Sequence, residues 1–247
     1  MDYDVFSEFY DKLTDNVDYE NRAQYILRLF KKYGSAPSLL LDLACGTGSF
    51  SLSFAKKGIE VIGVDPSPEM LSIAQNKSMS EGLDVFFLCQ KAEELNLMGT
   101  VDGIICCLDS LNHITDYKNL CKAFEKAALY LESGGLFVFD VNTVYKHQKV
   151  LSGEIFVFDE DDVYCVWQNS ECDSENRVDI KLDFFTQNEN GTFNRVSEEF
   201  SERAYDNAEI QKALQNSGFE TLAVLGDMSE NQPTETEERI YYVAKRK

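Results

Sequence analysis

The sequence predicts an α/β fold: a doubly wound, mostly parallel seven-stranded sheet with a small antiparallel β-sheet inserted late in the chain. Three observations carry that expectation. Short apolar runs alternate with segments of helical spacing up to Asn142, the pattern of parallel strands joined by crossover helices. From about Phe156 to Ala204 the apolar residues recur at every second position instead. One more helix and two final strands, Phe219–Leu225 and Arg239–Lys245, then complete the chain.

Residues 1–33 are helical and amphipathic, with stripes at Val5, Phe6, Phe9, Tyr10, Leu13 and at Tyr25, Ile26, Leu29, Phe30. Gly34 and Pro37 close that segment. Leu39 to Leu43 forms a short strand with no solvent face, as in a parallel sheet covered on both sides. Ala44, Gly46 and Gly48 give a turn with little bulk; Phe50, Phe54 and Ala55 continue at helical spacing until Gly58. Such a strand, turn and helix let a ligand approach backbone amides. A dinucleotide wants a third glycine, and that position is Ser51. S-adenosylmethionine has no phosphate and asks only for bulk-free backbone.

Glu60 to Asp65 is the second strand, ending in an acid 17 residues after Gly48. A carboxylate there can accept both ribose hydroxyls of an adenosyl ligand. Ser67 caps the next helix, Pro68 begins it, and Met70 either faces adenine or fills core. Asp84 to Leu88 is the third strand, followed by the turn Cys89-Gln90-Lys91-Ala92-Glu93. Val101 to Leu108 is the fourth and leads to Asp109-Ser110-Leu111-Asn112-His113 at the carboxyl rim, where open α/β sheets bind ligands. His113 either orients a reacting group or caps the following helix. That helix (Leu120, Phe124, Ala127, Ala128, Leu131) stops at Ser133-Gly134-Gly135, and Leu136 to Asn142 is the fifth strand.

The alternating stretch reads as about three antiparallel strands, with Asn190-Gly191 as a hairpin turn. Val150 to Arg203 holds 14 acids against 4 bases. Either this is the solvated face of a half-buried sheet, or its inner face, with Trp167 and Phe184, roofs a substrate site. Asp206 and Glu209 are spaced as a capping box for the closing helix, which Gly218 ends.

Composition narrows the partners. With 44% hydrophobic and 12% aromatic residues a core is affordable. The 23 basic against 43 acidic residues give a net charge of −20, which repels nucleic acid. No apolar run approaches the roughly 20 residues of a membrane span. Met1-Asp2-Tyr3-Asp4 lacks a secretion signal. Seven cysteines show no metal-ligand spacing and read as reduced, so a cytoplasmic protein without a metal centre is expected.

The run Leu41 to Gly48, LDLACGTG, resembles the cofactor loop of class I S-adenosylmethionine-dependent methyltransferases. The acid at Asp65, the helix–glycine–strand passage from Leu131 to Asn142 and the final strand pair are similar to the same family. With the N-terminal tyrosines and the insert, the chain looks most like small-molecule N-methyltransferases of the glycine or amino-sugar type. The resemblance implies a Rossmann-like S-adenosylmethionine-binding domain at residues 1–145 and 204–247, with 146–203 as a subdomain covering the active site. It implies methyl transfer to a small-molecule acceptor, an amine above all, in a monomer or homodimer with no nucleic-acid or membrane partner. Cofactor residues would be Tyr10, Tyr19, Ala44, Gly46, Gly48, Asp65, Met70, Lys91, Ala92, Leu108 and His113. Tyr10 and His113 would also orient the acceptor; the plainer reading of Tyr10 and Tyr19 is packing with hydroxyls in water. At Lys91 the family usually has an acid that accepts from the adenine amino group, which an ammonium cannot do. Gln90 or Glu93 then substitutes, or backbone and stacking hold adenine alone. A non-catalytic subunit that binds an adenosyl ligand and acts through a protein partner is the alternative.

Overall fold

Period-two geometry decides how the first strand, β1 (Leu39–Leu43), divides its side chains. Leu41 and Leu43 enter the core on one face of the sheet, while Leu40 enters the core on the other. The computed structural model describes residues 4–247, without the side chains of Asp4, Val5, Phe6 and Glu8. The stripe expected at Val5 and Phe6 therefore lies outside the described side chains.

Two helices, α1 (Asp4–Leu13) and α2 (Tyr19–Lys32), precede β1. Then α3 (Ser49–Ala55), β2 (Glu60–Asp65), α4 (Pro68–Ser80), β3 (Phe86–Cys89), β4 (Val101–Cys106), α5 (Tyr117–Tyr130) and β5 (Leu131–Asn142) alternate as expected. The last elements are α7 (Asn207–Asn216), β10 (Phe219–Gly226) and β11 (Arg239–Arg246), with α6 (Val144–Lys146) and strands β6 to β9 between. The large sheet has seven strands in the order β10-β11-β5-β4-β1-β2-β3, with β11 antiparallel to both its neighbours. Helices α5 and α7 cover one face through Phe124, Ala127, Ile210 and Leu214; α2 and α3 cover the other through Ile26, Phe30, Leu52 and Phe54.

The local signals hold where they were read. Ser67 accepts from the Met70 amide at 3.1 Å, and Asp206 with Glu209 closes a capping box. Asn190-Gly191 turns the chain between β8 (Arg177–Gln187) and β9 (Phe193–Arg203), with Gly191 at φ +82°.

The differences have identifiable causes. The inserted sheet has four strands, because β6 (Ile155–Glu160) and β7 (Val163–Asn169) pair across Asp161-Asp162, a turn without glycine. β4 ends at Cys106, two residues early, where the chain enters left-handed backbone at Leu108 and Asp109. β5 begins at Leu131: Val101 pairs with Leu131 and Gly103 with Leu136, so residues 132–135 bulge around Gly134 at φ +83°. A π-helical turn, His147–Leu151, follows α6. Among the described residues no helix is long and apolar enough to cross a membrane.

Gly48 sets how closely α3 can approach α4. Its φ is +77°, and a Cβ placed there would lie 2.9 Å from Ala74 Cβ and 3.3 Å from Phe87. Gly48→Ala is expected to destabilise the fold by roughly 2–4 kcal/mol, the left-handed cost plus overpacking. Urea denaturation of the purified variant measures this; an unchanged midpoint would show that the two helices separate freely.

Candidate active site

The turn after β1 passes through three left-handed residues, Ala44, Gly46 and Gly48, at φ +60°, +53° and +77°. It is held by Cys45 N donating to Val64 O and by Gly48 N donating to Cys45 O, both at 2.9 Å. Nothing lies within 4 Å of where a Gly46 Cβ would stand, so this glycine opens onto free space. That space is a cavity of about 450 Å³ at the carboxyl ends of β1, β2 and β4, a volume suited to a small ligand.

Asp65, 8% exposed at the end of β2, accepts from Gly46 N and Ser67 N, each at 2.9 Å. Burial pushes its pKa up, while these two amides and His113 pull the other way. A carboxylate has about four acceptor positions, so two remain for a ligand. Asp42 lies deeper, 2% exposed at the cavity floor, and takes the Ser51 hydroxyl at 2.6 Å. Burial, with Asp65 adding, raises it from 3.8 to about 7.

The cavity is roofed by α1. Asp11 accepts from Thr47 Oγ1 at 2.6 Å and from Lys77 Nζ at 2.8 Å, tying α1 to the glycine turn and to α4. Lys77 also donates to Ser49 Oγ at 2.8 Å. Tyr10 and Tyr19 both line the cavity beside this clasp. Burial, with Tyr19 and the acids around it, pushes the Tyr10 phenol well above its usual range, so it stays protonated. Tyr19 is raised by burial as well and donates to Thr14 Oγ1 at 3.0 Å.

Met70, Lys91, Ala92 and Glu93 line another wall. Gln90 does not: its side-chain amide donates to Asn96 O at 3.2 Å and accepts from Asn96 N at 2.8 Å. Glu93 is therefore the carboxylate left facing this end. Gly48 also stands outside the lining, its role being the packing of α3. Trp167 and Phe184 do not line the cavity either. Trp167 donates to Asn169 Oδ1 at 2.8 Å, and Phe184 stacks on Phe9 of α1 at 6.0 Å, so the insert supports the roof from outside.

The remaining wall is the turn after β4, with Leu108 and His113 in the lining. Leu108 and Asp109 are left-handed without being glycine, at φ +55° and +53°. The buried Asp140 of β5 accepts both their amides, at 2.9 and 2.8 Å. Arg239, from the start of β11, pairs with Asp109 and Asp140 together. Burial would push the Asp109 carboxyl up, yet Arg239 beside it, with Lys146 and His113, holds it below the ordinary range. His113 does not cap α5; Asp116 does, accepting from Lys118 N at 2.7 Å. Asp109, His113 and Glu202 of β9 bring one ligand-capable atom each to within 4.8 Å of one another. The sequence placed this turn at the rim but gave no sign of its left-handed backbone or of the Asp140 brace; Asp42, inside the LDLACGTG run, was given no role, and Asp11 and Glu202 carry no local motif.

Residues 40–135 match the family model described as a methyltransferase domain. The whole chain is 35% identical to a crystal structure of a S-adenosylmethionine-dependent methyltransferase from Clostridium acetobutylicum ATCC 824. The TM-score is 0.89, over 99% of this chain and 98% of that one. The chain belongs to the S-adenosylmethionine-dependent methyltransferases. YqeM of Bacillus subtilis (strain 168) is 31% identical to this methyltransferase over 100% of its length and 98% of YqeM. KedS8, a sugar N-methyltransferase from Streptoalloteichus sp ATCC 53650, shares the fold at 20% identity and TM-score 0.79, over 98% and 93% of the chains.

The cavity fits the methyltransferase cofactor. An adenosyl group needs acceptors for its ribose and a flat apolar slot, and its amino-acid tail needs backbone without side-chain bulk. Asp65 has open acceptor positions, Met70 and Ala92 are apolar, and the Gly46 side of the turn is empty. S-adenosylmethionine supplies a methyl group on a sulfonium, already activated for displacement.

Asp42 gives the methyltransferase a pH-dependent stability. Its folded pKa of about 7 lies above the ordinary 3.8, so the fold keeps a proton that the unfolded chain releases. That contribution is complete below about pH 4 and is lost as pH rises through 7. Asp42→Asn removes the titration while keeping the acceptor for Ser51. Its Tm relative to the parent should climb between pH 5 and pH 8; a difference independent of pH would show that Asp42 ionises normally.

Proposed function

We propose that the protein transfers a methyl group from S-adenosylmethionine to the amine of a small molecule by in-line displacement. One observation carries this reading. One cavity of about 450 Å³ is lined at once by the glycine turn with Asp65, by Tyr10 from the α1 roof and by His113 from the wall after β4. Donor and acceptor need little beyond alignment, because the sulfonium is a good leaving group. In this reading Asp65 takes the ribose hydroxyls, Ala44 and Gly46 flank the methionine tail, and Met70, Ala92 and Leu108 border adenine. Glu93 accepts from the adenine amino group, the task that Lys91 cannot perform. The protonated Tyr10 phenol and His113 orient the acceptor.

An amine is favoured by charge. The net −20 and the acids of the insert attract an ammonium, which must lose its proton before attack. The same charge disfavours nucleic acid. The shared fold with a sugar N-methyltransferase supports the acceptor class. Residues 146–203 act as the insert that supports the active-site roof. Seven free cysteines suit a reducing, cytoplasmic setting.

The test is a screen of small primary and secondary amines, with S-adenosylhomocysteine release as the readout. Methylation confined to hydroxyl or carbon acceptors would overturn the amine assignment. Asp65→Ala should weaken S-adenosylmethionine binding by about 1.5–3 kcal/mol, the scale of hydrogen bonds to a charged group. Calorimetry that finds the affinity unchanged in a folded variant removes Asp65 from the site. Gly46→Ala should bind the cofactor at least tenfold more weakly while losing only about 1–2 kcal/mol of stability, the left-handed cost alone. Equal affinity for that variant would place the methionine tail elsewhere.

A further inference from the structure

His113 is gripped by one strand of the inserted sheet. Phe200 and Glu202, two residues apart on β9, project to the same face. The Phe200 ring lies 5.2 Å from the His113 ring, tilted by 31°. Glu202 Oε1 stands 3.6 Å from His113 Nε2. Glu202 is 3% exposed. Among the described residues no lysine or arginine pairs with it, since Arg239 is engaged by Asp109 and Asp140. Its other oxygen, Oε2, accepts from Asn142 Nδ2 at 3.3 Å and faces His147 Nε2 at 3.6 Å. Asn142 is itself oriented by Lys146, which donates to its Oδ1 at 3.0 Å.

These contacts choose between the two tautomers of His113. A proton on Nε2 points at the buried carboxylate, which needs donors around it. With the proton on Nδ1, a lone pair would face the carboxylate instead. Nδ1 is buried without a hydrogen-bond partner, so an N–H there would also have no acceptor. Both effects favour Nε2–H.

We propose that Glu202 is a positioning residue for the acceptor wall, holding His113 in the Nε2–H tautomer and fixing the plane of its ring beside the cavity. The functional consequence rests on the reading of His113 as an acceptor-orienting group. A carboxylate behind an imidazole sets its tautomer and orientation, and where the imidazole ligates a metal, loss of such a partner costs about 10–100-fold, the scale taken here.

The substitution Glu202→Gln distinguishes this from simple packing. It keeps the shape, and Asn142 keeps the amide oxygen at the Oε2 position. The new NH2 then faces His113 Nε2 and demands a lone pair there. Two-bond nitrogen–proton correlation spectra of the imidazoles read the tautomer directly. The chain has two histidines, and a His113→Gln sample assigns them. The parent should show His113 as Nε2–H, and Glu202→Gln should move it toward Nδ1–H. In methyl transfer, Glu202→Gln should lower kcat 10–100-fold with KM for S-adenosylmethionine within twofold. It should add no further loss in a His113→Ala background. A parent ring in the Nδ1–H form, a tautomer unchanged by Glu202→Gln, or kcat losses that add to those of His113→Ala would each overturn the proposal. The parent spectrum needs no acceptor. A tautomer change without turnover of any amine supports the positioning role and counts against the amine reading alone.

Discussion

The Asp65 carboxylate, shared between the amides of Gly46 and Ser67, is the constraint on which the site depends. It joins the glycine turn after β1 to the start of α4 after β2, so two loops that could drift apart are fixed by one buried charge. That charge is tolerated because backbone N–H groups replace the water it loses. Asp65 also lines the cavity, so in the proposed function the structural brace and the ribose contact would be the same group.

The device recurs one strand pair away. Asp140 on β5 accepts the amides of Leu108 and Asp109, holding two non-glycine residues in left-handed backbone that costs about 1–2 kcal/mol apiece. Asp42 on β1 completes a row of buried acids near the carboxyl edge of the sheet, but its donors, a hydroxyl and a backbone amide, both belong to Ser51 and brace no second loop. The difference shows in its chemistry. Sitting deeper, with the Asp65 charge adding to burial, Asp42 is pushed toward neutral pH, whereas Asp65 has its rise opposed by two amides and His113.

What could be read from the sequence was what depends on neighbours in sequence. The Ser67 cap, the Asp206–Glu209 capping box and the Asn190-Gly191 turn are each complete within four residues, and each stands where its spacing placed it. The place of Asp65 at the cavity was legible because strand length and sheet topology fix which end of β2 faces it. The turn at Leu108–Asp109 was not legible, since its left-handed backbone is imposed by Asp140, 31 residues away, instead of by a glycine. The Asp11 clasp on Thr47 and Lys77 joins residues 36 and 66 positions apart, and the Glu202–His113 contact joins the inserted sheet to the turn after β4. Gln90 had the right chemistry for adenine, but its side chain was already committed to Asn96. Tertiary pairing of this kind leaves no periodicity to detect.

Arg239 has a bearing on how the molecule is made. It stands at the first residue of the final strand, 130 positions after Asp109, and β11 must slide between β5 and β10 before its guanidinium reaches the turn. A nascent chain can pair its five parallel strands once Asn142 has emerged, 97 residues before Arg239 (239 − 142). Its left-handed turn then lacks the cation that neutralises Asp109 and Asp140. Such long-range closure is slow compared with helix formation. The brace on this turn is therefore completed only after the parallel strands on which it rests have paired.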